Sequence, residues 1–188
     1  MAMACGWAAC RAIPAEDPIR ACFRPAARVL PGMQLHRFYF SQTVSWPTDL
    51  VWRFFSNAAN LPVLTPPEAQ FESGEVDGPV YPGQILTHRV RVLPGIKLTW
   101  VTEILHVEPG RYFLDGQESG PFRFWRHRHE FVEVPGGTEV RDTVHWALPL
   151  DPFSRVALPL VRAQLKSLFS YREQALPGAL AQFTAGRE

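Results

Sequence analysis

Histidine, aspartate and arginine are the side chains in this sequence whose types and spacing invite chemistry. In the run Phe122 to Val134, strand alternation sets Trp125, His127, His129 and Phe131 on one face and Arg126, Arg128 and Glu130 on the other. Charge marks the solvated face, so the two histidines point inward. The same test puts Leu86, His88, Val90 and Val92 inward, and on the next stretch Leu98, Trp100, Thr102 and Ile104. Phe113, Asp115 and Gln117 share a face further on, as do Val140, Asp142, Val144, Trp146 and Leu148. Burying the polar members of this set unpaired would cost on the order of 1–3 kcal/mol each, so they pair with one another or meet something else. Arg172 joins them: at about 100 degrees per residue it lies roughly 20 degrees from Val161 around a helix, inside an apolar stripe. A buried guanidinium needs an anionic partner.

Three chemistries compete for these groups. The first is a structural network, with Arg172 paired to Asp142 or Asp115 and the histidines satisfied by neighbouring hydroxyls and carbonyls. The second is ligand orientation in a mostly apolar pocket, for which the candidate contacts are His88, Trp100, Thr102, Asp115, Gln117, Trp125, His127, His129, Asp142, Trp146 and Arg172. The third is proton transfer. An imidazole beside a carboxylate titrates near neutrality, which makes His127 or His129 the candidate base and Asp115 or Asp142 its partner. Spacing alone leaves that role open. As metal ligands, His127 and His129 would need His88, Asp115 or Asp142 from another strand as a third donor, with no cysteine and no glutamate available on that face. Neither a metal nor a cofactor is expected.

Several elements must position these residues. Alternation begins at Leu35, with Phe38, Phe40, Gln42 and Val44 opposite Arg37, Tyr39, Ser41 and Thr43, a half-buried strand. Pro47 at a first helical turn, then Asp49 and Leu50, Val51, Phe54 and Phe55 at helical spacing, predict a short helix. Asn57 to Leu64 predicts a second, ended by Thr65-Pro66-Pro67. Extended stretches follow at 68–73, 83–93, 96–107, 111–119, 122–134 and 138–148, seven strands with the first. Short turns at Pro94-Gly95, Pro109-Gly110 and Pro135-Gly136-Gly137 make neighbours antiparallel. After Pro149, Val161, Leu165, Leu168, Phe169 and Leu176 form the stripe of a long helix with Pro159 in its first turn. One such sheet needs a cover, and only this helix is long enough to supply it. The expected fold is therefore α+β, a curved seven-stranded antiparallel sheet wrapped on a C-terminal helix and enclosing a cavity.

Composition narrows the function. At 188 residues the chain holds one domain and a remainder. No apolar run approaches the roughly 18 residues of a membrane helix, which excludes an integral membrane segment. With 19 basic and 18 acidic side chains in no like-charged block, nucleic acid is excluded as a partner. Thirteen Phe, six Trp and four Tyr suit a large core or an apolar ligand. Cys5, Cys10 and Cys22 all precede Met33, so no disulfide staples the main body, and a reducing, cytoplasmic location is expected. Residues 1–32, broken by Pro14, Pro18, Pro25 and Pro31, carry no period and read as a disordered leader, with Met33 a candidate start. A secretory signal is the alternative, against the missing basic residues at its head. The domain is read over 33–178 and a flexible tail over 179–188, behind Pro177-Gly178. Nucleophile-elbow, phosphate-loop, dinucleotide and zinc-protease motifs are absent from the sequence. His36, His106 and His145 are read as surface residues, and oligomeric state is left open.

The run Asn57-Ala58-Ala59-Asn60-Leu61-Pro62-Val63-Leu64-Thr65-Pro66-Pro67 combines with Phe113-Leu114-Asp115-Gly116-Gln117, Gly120-Pro121, Trp125, His127, His129 and Phe131. Gly136-Gly137-Thr138, Asp142, Ala147-Leu148-Pro149 and Leu168-Phe169-Ser170-Tyr171-Arg172 extend the pattern. Together, over about residues 34–176, they resemble the START-like superfamily, also called the Bet v 1-like or SRPBCC group. The resemblance implies the helix-grip fold. It also implies a cavity of the kind that carries lipids, sterols, hormones or polyketides, in a subgroup described as cyclase/dehydrase-like or ligand-binding. No universal catalytic residue comes with it, so the site residues rest on the face assignments above. Three functions are expected in order: binding or transport of a small hydrophobic molecule, a cyclase or dehydratase acting on a polyketide-like substrate, and an interaction module whose cavity is closed by side chains.

Overall fold

The computed structural model describes residues 33–74, 78–93, 95–150 and 153–186; the leader read over 1–32 lies outside them. Seven strands form one sheet: β1 (His36–Val44), β2 (Glu72–Ser73), β3 (Ile85–Leu93), β4 (Ile96–Glu108), β5 (Tyr112–Ser119), β6 (Phe124–Val134) and β7 (Gly137–Ala147). Their order is β1-β7-β6-β5-β4-β3-β2, all antiparallel, a meander from β2 to β7 with β1 added beside β7. Helix α1 (Thr48–Phe55) and a 3-10 helix (Ala58–Leu64) follow β1, and α2 (Leu158–Ala185) ends the chain. This is the helix-grip arrangement of the expected α+β fold.

The tight β6–β7 turn needs two glycines for two reasons. Gly136 has φ of +86°, in the left-handed region that side chains avoid. Gly137 is close-packed instead: a Cβ there would overlap the carbonyl oxygen of Val44, where β1 ends against β7. Gly137→Ala is expected to cost about 1–3 kcal/mol as overpacking, read as a lowered urea midpoint; an unchanged midpoint would show that the β1–β7 end can spread freely.

Alternation places the burial. On β6 and β7 every second residue is buried, Trp125, His127, His129 and Phe131 facing in beside Val140, Asp142, Val144 and Trp146. On β4 the parity breaks. A register shift between Ile104 and His106 adds a residue, so Ile104 and Val107 both pack toward the core although three positions separate them.

Three expectations need correction. The strand read over 68–73 pairs with β3 only at Glu72–Ser73, because Pro66-Pro67 starts a 3-10 turn over Pro67–Ala69 instead. The helix read over 57–64 is 3-10, opened by Asn57, whose Oδ1 accepts from Ala59 N at 3.0 Å, and containing Pro62. The tail read over 179–188 is helical to Ala185, with Ala179 and Leu180 buried. Pro177 should have ended that helix, since it leaves the carbonyl of Glu173 without its N–H donor. Gln42 Nε2 from β1 donates to that carbonyl at 2.8 Å, so the helix continues. Among the described residues no helix is long and apolar enough to cross a membrane.

Candidate functional site

Two apolar clusters sit between sheet and helices. One gathers Phe54, Phe113, Phe131, Val140, Leu176 and Leu180 under α1 and the end of α2; the other gathers Trp125, Val144, Trp146, Leu165 and Phe169 under its first half. The polar side chains form a band between them. Antiparallel register brings Asp115 opposite His127 and His129 opposite Asp142, so three adjacent strands deliver four titratable groups to one spot. His127 Nε2 lies 2.9 Å and His129 Nδ1 2.8 Å from the same oxygen, Asp142 Oδ1. The first is an in-line hydrogen bond, whereas the N–H of His129 is out of line. On the other side, Asp115 Oδ2 is 3.3 Å from His129 Nε2 and 3.8 Å from His127 Nδ1. The imidazoles thus stand side by side, centroids 3.8 Å apart, between two carboxylates.

Their electrostatics pull them apart. Burial lowers His127 below the ordinary histidine value, and repulsion from His129 adds to it, against the hydrogen bond from Asp142. Burial acts on His129 in the same sense, but the charges of the two adjacent carboxylates, Asp142 first, outweigh it and raise the ring. Burial opposes ionisation of Asp142 too, yet the charge of His129 and the hydrogen bond from His127 hold its carboxyl well below the usual range. An ionised carboxylate only accepts, so His127 carries its proton on Nε2 and leaves Nδ1 as a lone pair. The two neighbouring imidazoles are therefore pushed in opposite directions by their surroundings.

The band borders a cavity of about 930 Å³ between sheet and α2. That lies in the upper part of the roughly 300–1,000 Å³ range of small-molecule sites. Of the residues read from sequence, His88, Trp100, Thr102, Asp115, Trp125, His127, His129 and Arg172 line it. Asp142 does not: it stands behind the histidines. Trp146, 1% exposed, is core, its ring against His36 and Phe122 at 4.7 and 5.8 Å. That contact also corrects the surface reading of His36. Gln117 turns away to a loop, donating through Nε2 to Phe122 O at 2.6 Å and accepting from Phe122 N at 3.2 Å, and so holds Phe122 in the wall.

Arg172 departs from the structural network. No carboxylate of the described residues lies within 4 Å of it; Nε donates to Leu64 O at 3.3 Å, and the guanidinium rests 5.2 Å from the Phe169 ring centroid. Burial lowers it from its ordinary value, against longer-range attraction to Asp142 and Asp115. Sequence reasoning missed Phe55, Leu61, Leu64 and Phe71, which close one side of the cavity. The signal was the apolar run ending at the proline pair, which marks a short helical segment with an unassigned apolar face.

Residues 44–176 match the family described as polyketide cyclase / dehydrase and lipid transport. A comparison with curated proteins gives no match. Among solved structures the chain is similar to norcoclaurine synthase from Thalictrum flavum in complex with dopamine and hydroxybenzaldehyde, at 14% identity and TM-score 0.59 over 84% of this chain and 90% of that one. It is similar to protein Ms6760 from Mycobacterium smegmatis at 19% identity and TM-score 0.56, over 78% and 91%. The di-domain ARO/CYC StfQ from the steffimycin biosynthetic pathway follows at 15% and 0.61, over 81% of this chain and 52% of that longer one. Likeness at these identities speaks to the fold, a START-like, Bet v 1-like sheet gripping a helix. With the matched segment spanning most of its length, the chain belongs to the polyketide cyclase / dehydrase and lipid transport family.

Proposed function

We propose that this protein binds and carries a small hydrophobic molecule, held between the sheet and α2 and oriented at one end by His127, His129 and Arg172. The observation that carries this reading is the cavity: about 930 Å³, walled by Trp100, Trp125, Phe113 and Ile104, with His127, His129 and Arg172 on the same lining. A closed-cavity interaction module would fill that space with side chains. Leu150 and Leu160, exposed and on the wall, give an apolar molecule a route in. A cytoplasmic setting is proposed with it, on the placement of Cys5, Cys10 and Cys22 ahead of Met33.

Native mass spectrometry of the full chain from its own cells, with denaturing extraction, is expected to find one apolar compound per chain. Thr102→Trp, which fills the cavity from β4, is expected to weaken that compound, or an apolar fluorescent probe, by about tenfold or more while unfolding stays cooperative. Equal binding by a folded Thr102→Trp would move the site elsewhere.

The opposite shifts of His127 and His129, with the Asp142 hydrogen bond behind His127, favour a second reading, cyclase or dehydratase chemistry on a polyketide-like substrate, with His127 taking a proton beside a carbonyl and Asp142 orienting it. Here His127→Ala would cut turnover far more than binding; equal losses would leave only the carrier.

A further inference from the structure

We infer that Asp115, His127 and His129 form a binding site for a divalent transition ion of the zinc type, open to the cavity. The inference stands on the geometry of the cluster and holds whether or not the cavity carries an apolar molecule. One donor atom from each of the three lies within 4.8 Å of the other two. A tetrahedral ion with bonds of about 2.0–2.1 Å separates its donors by roughly 3.4 Å. Asp115 Oδ2 already stands 3.3 Å from His129 Nε2 and 3.8 Å from His127 Nδ1.

What lies behind the donors strengthens the case. A ligating histidine usually hands its other nitrogen to a carboxylate, which fixes the tautomer and raises the basicity of the ligating atom. Asp142 Oδ1 takes that place for His127 in a hydrogen bond of 2.9 Å and stands 2.8 Å from His129 Nδ1, from a strand that the donors do not share. It stands off the cavity wall, whereas Asp115, His127 and His129 line it. The cluster is closed at the back and open at the front. Three protein ligands with a free fourth position describe a site that takes a water or an occupant's oxygen.

A second feature faces the same space. His88, 5% exposed and on the cavity wall, has a buried Nδ1 without a hydrogen-bond partner. An oxygen held on the ion would give that nitrogen something to meet. The donor set chooses the ion: two imidazoles with one carboxylate suit zinc and its first-row neighbours, whereas magnesium and calcium prefer oxygen alone. The occupant's bound group would be a carbonyl, hydroxyl or enolate oxygen, polarised by the ion.

The test uses the full chain, freed of metal by chelation and titrated with Zn²⁺ by calorimetry and Co²⁺ by visible absorption. Cys5, Cys10 and Cys22 are competing ligands, so a chain carrying Cys5→Ser, Cys10→Ser and Cys22→Ser is run beside it. One ion per chain is expected in both, with Co²⁺ bands free of thiolate charge transfer in the serine chain. Asp115→Asn and His129→Gln are each expected to weaken Zn²⁺ by more than about 100-fold, beyond what outer partners cause, while His106→Gln changes nothing. Should both cluster variants fail to fold, imidazole ¹⁵N shifts of the wild type decide, with Zn²⁺ moving His127 Nδ1 and His129 Nε2. Uptake lost with the cysteines, uptake unchanged in a folded Asp115→Asn, or zinc shifts at other histidines would overturn the site.

Discussion

Replacing Asp142 with alanine is expected to cost about 3–5 kcal/mol of folding stability, the penalty typical of removing one partner from a buried charged pair. Its side chain is 5% exposed in the fold, between the two apolar clusters, and a single oxygen faces two imidazole nitrogens. Alanine would strand both nitrogens where water is scarce and leave the raised His129 without its nearest counter-charge. Urea unfolding of wild type and variant at neutral pH reads the difference. A loss under about 1 kcal/mol would mean that water or Asp115 can take over the role.

The pH dependence has a definite sign. The carboxyl of Asp142 lies below its ordinary value in the fold and near about 3.9 in the unfolded chain. Its contribution is therefore complete above the unfolded value and is lost as pH falls toward the folded one. The stability gap between wild type and Asp142→Ala is expected to widen as pH falls from 7 toward 5, since only the wild type holds His129 above its ordinary value, and to narrow below about 4 as Asp142 itself protonates.

Phe169→Ala is expected to cost a similar amount, about 3–5 kcal/mol, for a different reason. Phe169 is the residue through which α2 grips the sheet: buried, with its ring centroid 5.0 Å from Phe38, 5.3 Å from Phe40 and 5.9 Å from His127. Its loss opens a void under the helix and takes away the aromatic face beneath the Arg172 guanidinium. The same unfolding experiment reads the cost, and an apolar probe in the cavity reads the displacement of Arg172. A loss under about 1.5 kcal/mol would mean that Leu165 and Leu168 hold the helix alone and that its seat can collapse around the gap.

Period-two patterning was legible because the sheet is covered on one face. On β6, Arg126, Arg128 and Glu130 could only be outside, which fixed Trp125, His127, His129 and Phe131 inside, and the same logic held on β7. It weakened where geometry departs from simple alternation. The bulge near Leu105 brings Ile104 and Val107 to one side, and no residue type there announces it. The end of α2 was misread because Pro177 is a local stop signal, while its remedy, the hydrogen bond from Gln42, comes from the first strand of the domain.

The antiparallel hairpins, the inward face and the gathering of histidine, aspartate and arginine on it were determined by the sequence alone, since alternation and turn chemistry act between near neighbours, whereas the place of β1 beside β7 was not. Depth along that face was decided only by the tertiary structure. Asp142, Trp146 and Gln117 share an inward reading with His127 and Trp100, yet stand behind the histidines, inside the core and across a loop. Arg172 was expected to find a carboxylate and instead points its charge at the cavity, because the histidines already occupy both aspartates. A one-dimensional pattern assigns a side of the sheet. Which side chains reach past their neighbours to the cavity depends on how three strands and a helix meet, and that is a property of packing.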